Sequence, residues 1–109
     1  MAIKANLQID QGTDFSTEID VLDENGDVVD LTGYSGAAQM RKHYTSSTST
    51  AFNVAINASG GTVTLSMNAA TSANVTAGRY VYDCELTSSS NTVSRLVEGI
   101  VTVTPQVTR

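Results

Sequence analysis

The side chains that could carry chemistry are few and far apart in this sequence. His43 is the sole histidine. A general base needs a nucleophile or a second acid within hydrogen-bond reach. No Ser or Cys stands in a recognisable pattern with His43, so it reads as an exposed residue at the end of a strand. Cys84 is the sole cysteine. A reactive thiol needs cationic neighbours that favour the thiolate, and Asp83 and Glu85 flank this one instead. It reads as a small buried hydrophobe. A single cysteine also excludes an intrachain disulfide.

Asp23, Asn25 and Asp27 match the first three ligand positions of a calcium loop. The match then fails: Val28 stands at the glycine position and Tyr34 at that of the bidentate glutamate. A hairpin turn explains the same residues without a metal. Asn57-Ala58-Ser59 and Asn74-Val75-Thr76 fit the glycosylation acceptor, a pattern common by chance where Ser and Thr abound. No glycine loop resembles a phosphate cradle, and no Cys/His cluster suits zinc. Tyr34 and Tyr44 are the candidates for stacking on a sugar, because Tyr80 and Tyr82 fall on a core-facing alternation. The expectation is a protein that is not an enzyme, with no catalytic residues, no cofactor and no metal.

The elements that would position these residues are strands. Apolar residues recur with period two along most of the chain. Phe15, Thr17, Ile19 and Val21 share one face, with Ser16, Glu18, Asp20 and Leu22 opposite. Asn25-Gly26 supplies a hairpin turn, with a short strand at Val28-Val29 and a second turn at Thr32-Gly33. Tyr34 to Tyr44 reads as a longer strand, followed by an exposed Ser/Thr loop over 45–50. Phe52, Val54 and Ile56 alternate, Gly60-Gly61 turns, and Val63, Leu65 and Met67 return. Asn68 to Ala77 admits a turn or two of helix, capped by Asn68 or Thr71. Tyr80, Tyr82, Cys84 and Leu86 then line one face of a strand. A last strand runs from about Val93 to Val103, with a bulge expected at Gly99 where the apolar parity shifts. Pro105 ends it, since proline cannot donate to a ladder.

Seven or eight short strands with close turn signals predict an all-β, immunoglobulin-like antiparallel β-sandwich. One domain over 1–104 and a tail over 105–109 account for the 109 residues. Charged residues are only 16% of the chain, and the net charge is −5. That balance disfavours phosphate backbones, so no nucleic-acid partner is expected. No apolar run is long enough to span a membrane, and the Met-Ala-Ile-Lys-Ala-Asn start lacks a secretory pattern, so synthesis in the cytoplasm is expected. The acids crowd residues 1–30 (Asp10, Asp14, Glu18, Asp20, Asp23, Glu24, Asp27, Asp30), while Arg41, Lys42, Arg79, Arg95 and Arg109 follow later. This asymmetry has two readings: solubility through net charge, or an acidic face that meets a basic face on a neighbouring subunit.

The chain carries, in order, Gln11-Gly12-Thr13-Asp14-Phe15, Val29-Asp30-Leu31-Thr32-Gly33-Tyr34 leading into Ala38-Gln39-Met40-Arg41-Lys42, Gly-Thr-Val-Thr-Leu-Ser at 61–66, Gly78-Arg79-Tyr80-Val81-Tyr82-Asp83, and Glu98-Gly99-Ile100-Val101-Thr102-Val103. This order of motifs resembles small virion structural proteins of tailed bacteriophages, notably cyanophages. Similar segments look like the N-terminal β-sandwich domains of baseplate and tail-fibre proteins. The resemblance implies a module that docks on a virion (tail, baseplate, neck or capsid surface), with other virion proteins and further copies of itself as partners. The candidate contact residues are Lys4 and Leu7 on the first strand, Arg41 and Lys42, and Pro105, Val107 and Arg109 on the tail. A receptor- or carbohydrate-binding adhesin module is the alternative.

Overall fold

The structure, a computed structural model, describes residues 3–108. These residues form eight strands and one short helix: β1 (Ile3–Lys4), β2 (Leu7–Asp10), β3 (Phe15–Asp20), β4 (Ser35–Arg41), β5 (Thr50–Asn57), β6 (Thr62–Met67), α1 (Ala69–Ala73), β7 (Gly78–Thr87) and β8 (Val93–Thr104). The fold is all-β. The strand order is β1-β8-β7-β4-β5-β6-β3, with β2 also on β8. β5 joins two groups of strands. Its first part pairs with β4, Phe52 opposite Ala38 and Thr50 opposite Met40. Its second part pairs with β6, from Asn53 opposite Ser66 to Asn57 opposite Thr62. The sheet therefore curls around its own inner face.

Period-two patterning explains the core. Val63, Leu65 and Met67 of β6 are buried, while Thr62, Thr64 and Ser66 between them are half-buried. Tyr82, Cys84 and Leu86 of β7 face Met40, Ala38 and Gly36 of β4 in register, and these side chains are buried together. Phe15, Phe52 and Tyr82 form a chain of tilted rings, each pair with centroids 6.1 Å apart. That spacing suits edge-to-face contact and ties β3, β5 and β7 together.

Several details depart from the sequence reading. The sheet is mixed, because β1 and β2 run parallel to β8. β4 is shorter than the Tyr34–Tyr44 span. Val28 forms an isolated bridge with Leu22 in place of a strand. The bulge lies at Leu96: Cys84 faces Val97 and Glu85 faces Arg95, so one residue of β8 is left over. Leu96 and Val97 are both buried, and two adjacent inward residues are what shift the parity. Gly99 stays in register opposite Tyr82. Its role is clearance, since a Cβ there would overlap the Ala5 carbonyl.

α1 holds the β2–β3 turn in place. Asn68 caps it, its side-chain oxygen accepting from the Thr71 amide at 2.8 Å. Asp14 reaches the same end and accepts from the Ala69 amide at 2.7 Å. The Ser72 hydroxyl, fully buried, accepts from the Gly12 amide at 3.1 Å and donates toward the Thr13 carbonyl at 2.7 Å. Gln11 adds a bond from its side-chain nitrogen to the Val75 carbonyl and accepts from the Gln106 amide. Pro105 follows the end of β8, and Gln106 is thus tied back to the domain. Ser72→Ala leaves two backbone groups without partners and is expected to cost about 1–3 kcal/mol. A denaturation midpoint within error of the parent would contradict that assignment.

Candidate interaction surface

The outer face of β4, β7, β8 and β1 presents its side chains in rows set by register. Ala51, Gln39, Asp83, Glu98 and Lys4 form one row. Arg41, Val81 and Ile100 form the next. Asp83 and Glu98 stand directly opposite each other, an unfavourable like-charge pair. The bulge at Leu96 lets Arg95 answer both, 3.4 Å from Asp83 and 3.6 Å from Glu98. These ion pairs are partly exposed, so they add little stability. Gln39, Arg41, Tyr44, Val81, Asp83, Arg95 and Glu98 line a shallow groove of about 260 Å³ here. Tyr44 stands at this groove and is 80% exposed.

A second groove, about 320 Å³, lies past the end of β4. The partly exposed Tyr80 gives it an apolar wall over the buried Met40 and Val75, Arg41 and Lys42 line it with positive charge, and Thr48 to Thr50 add hydroxyls. No carboxylate lines it. Local contacts fix its shape. The Arg41 guanidinium donates to the Ser46 carbonyl at 2.7 Å and to the Gln39 side-chain oxygen at 3.0 Å. The Lys42 ammonium sits 5.1 Å from the centre of the Tyr80 ring, within cation–π range. The Tyr80 hydroxyl donates to the Thr76 carbonyl at 2.6 Å.

At the other end of β5 lies the 21–30 hairpin. Asp23 builds its turn by accepting from the amides of Asn25 and Asp27, and Gly26 adopts φ 82°. The carboxylate is therefore spent on backbone amides, as the hairpin reading requires. Gly26 alone takes positive φ in this turn, which makes a type I turn closed by a left-handed glycine. Leu22 and Val28, paired across the hairpin, are 52% and 57% exposed. Asp20, Glu24, Asp27 and Asp30 flank them along the chain, and no Lys or Arg falls within 20–30. The hydroxyl and amide of Thr32 both donate to Asp30 and hold its carboxyl below the ordinary value.

The sequence-predicted contact residues divide into groups. Arg41 and Lys42 lie at the end of β4, and Pro105 and Val107 follow the end of β8. β7 separates these strands, its Gly78 opposite Val103 and its Val81 opposite Arg41, so the two pairs share one end of the sheet. Val107 is 91% exposed. Lys4 lies on edge strand β1 opposite Glu98. Leu7 is half-buried against the core, so it serves packing more than contact. Arg109 lies outside the described residues. Tyr34 and Tyr44 flank opposite ends of β4, and Tyr34 packs against the core. They do not form one stacking platform. The Leu22–Val28 pair went unnoticed in the sequence reading, although both are large apolar residues beside an acidic turn.

Cys84 is buried between β4 and β8. Burial, with Asp83 and Glu85 nearby, pushes its thiol up to about 11. Burial likewise pushes the Tyr82 hydroxyl up to about 12, aided by Cys84. Both values exceed the ordinary 9.0 and 10.0 of these groups, so the folded chain holds these protons more tightly than the unfolded one. The resulting stability is complete below about pH 9 and is lost as pH rises through about 11 and 12. The urea midpoint is expected to hold level up to about pH 9 and then fall, with a shallower fall for Cys84→Ala. An equal fall in that variant would exclude the thiol as a contributor. Among the described residues no three His, Cys, Asp or Glu side chains converge as a metal site.

No family model matches the chain, and no curated protein matches it in sequence.

Proposed function

We propose that the chain is a non-catalytic structural component of a tailed-phage particle, made in the host cytoplasm, which acts by packing against other proteins. The observation that carries this reading is the placement of its exposed apolar side chains. Leu22 and Val28 stand together on the hairpin, Tyr44 and Ile100 on the outer sheet face, and Val107 on the tail. None of them is needed to fill the core, and the paired Leu22 and Val28 form a contiguous apolar patch of the kind that another protein can cover.

The motifs that carry the phage resemblance fall on the frame. Gln11 to Asp14 make the turn held by Ser72 and α1. Residues 61–66, 78–83 and 98–103 belong mainly to β6, β7 and β8. An immunoglobulin-like arrangement is part of the proposal. It is supported by the runs β4-β7-β8 and β3-β6-β5, which follow the C-F-G and B-E-D orders of that fold.

The test is the copy number of this chain per purified particle, by quantitative mass spectrometry. A fixed, symmetry-matched number places it in the tail, baseplate or neck, and hundreds of copies place it on the capsid. Its absence from the particle overturns the reading. One observation favours an adhesin instead: the exposed Tyr44 beside Gln39, Arg41 and Asp83 could stack on a sugar ring. Glycan binding abolished by Tyr44→Ala would establish that reading.

A further inference from the structure

We propose that copies of this chain associate head to tail, the 21–30 hairpin of one copy seating in the Arg41–Lys42 groove of the next. The proposal rests on the packing role above and specifies the partner as a second copy of this chain. Two independent properties match. The groove offers the partly exposed Tyr80 ring over a floor of buried Met40 and Val75, and the hairpin offers the exposed pair Leu22 and Val28. The groove carries Arg41 and Lys42 without a carboxylate. The hairpin carries Asp20, Glu24, Asp27 and Asp30 flanking its apolar pair along the chain, without a cation. Apolar burial supplies the attraction, and complementary charge sets orientation and excludes the reverse pairing.

One copy cannot satisfy itself. Thr50, at the start of β5, lines the groove. At its far end Asn57 faces Thr62, which in turn faces Asp20 at the base of the hairpin. Eight residues of strand hold the two features about 25 Å apart. The contact is therefore heterologous, with different patches on the two copies. Each added copy presents a fresh hairpin or a fresh groove, so the assembly closes as a ring or grows as a filament.

Sedimentation velocity on the full chain, over a concentration series at low and high ionic strength, tests this. The wild type is expected to associate, and added salt to raise the concentration for half-association about tenfold. Two charge reversals follow, a hairpin variant with Glu24→Lys and Asp27→Lys, and a groove variant with Lys42→Glu. Each alone is expected to stay monomeric where the wild type associates. Mixed together they are expected to form a one-to-one dimer, because the unaltered acidic hairpin of the groove variant can seat in the unaltered Arg41–Lys42 groove of the hairpin variant. If either reversal fails to fold by circular dichroism, Lys42→Gln and Glu24→Gln with Asp27→Asn replace them, with weakened association expected of each alone. A wild type that stays monomeric throughout overturns the proposal, and so does association that the variants keep unchanged. Neither result bears on the packing role, which the particle copy number tests separately. Self-association by a chain absent from the particle would overturn that role and leave the head-to-tail contact standing.

Discussion

Tyr82→Ala is expected to lower the unfolding free energy by about 3–5 kcal/mol, the largest effect of any single side chain discussed. Tyr82 is buried at the centre of the molecule. Its ring meets Phe52 edge-on, and it stands opposite Met40 on one side and Gly99 on the other. Its hydroxyl donates to the Ala5 carbonyl at 2.6 Å, the same carbonyl that lies against Gly99. Alanine would remove the ring, leave a cavity and orphan that carbonyl. Tyr82→Phe separates the parts, since it keeps the ring and loses the hydrogen bond, at an expected cost of about 0.5–1.5 kcal/mol. Urea denaturation of both variants checks the division. A near-neutral Tyr82→Ala would mean that the ring is not a core residue.

The second large effect is expected at Gly99. With Gly99→Val, the new side chain would run into backbone, because the Ala5 carbonyl lies against this position. Backbone cannot step aside as a flexible side chain can. The first strand must lift, breaking the bond from the Ala5 amide to the Glu98 carbonyl and the one from the Ile100 amide to Asn6. A loss of about 2–4 kcal/mol is expected. Hydrogen exchange locates the damage: the amides of Ala5 and Ile100 should lose protection first, ahead of those in β6. Uniform loss across the sheet would mean that β8 itself distorts.

The strands and their inward faces were legible because the alternation is local. Val63, Leu65 and Met67, or Tyr82, Cys84 and Leu86, declare their face within five residues. The Asn25-Gly26 turn, the Asn68 cap and the stop at Pro105 were legible for the same reason. The mates of the strands were not. Nothing in Leu7 to Asp10 states that its partner is Val101 to Thr104, or that the pairing is parallel. The bulge was placed at Gly99 because the apolar parity shifts around it, whereas the shift itself sits earlier, at the adjacent apolar pair Leu96-Val97. Gly99 is glycine for a reason that only the approach of Ala5 reveals. The interaction surface was partly legible. Arg41 and Lys42 were named, but the groove needs Thr48, Val75 and Tyr80 as well, and those meet only through tertiary structure. Leu22 shares parity with Ser16, Glu18 and Asp20, which disguised it as part of a polar face.

The parallel pairing of β2 with β8 governs the order in which the chain can fold. Asn6 and Ile100 touch across 94 positions, whereas β7 and β8 are joined by a short turn. Closing so long a loop costs entropy before any contact rewards it. Pairings of this kind raise contact order and slow the search for the native state. The β7–β8 hairpin is therefore expected to form early and the segment holding β1 and β2 to be added late. During synthesis residues 3–10 leave the ribosome before residues 97–104, so they have no edge to join until those emerge. The earlier-made strand waits for its later-made partner, and for that interval its backbone donors and acceptors are open to any other strand edge.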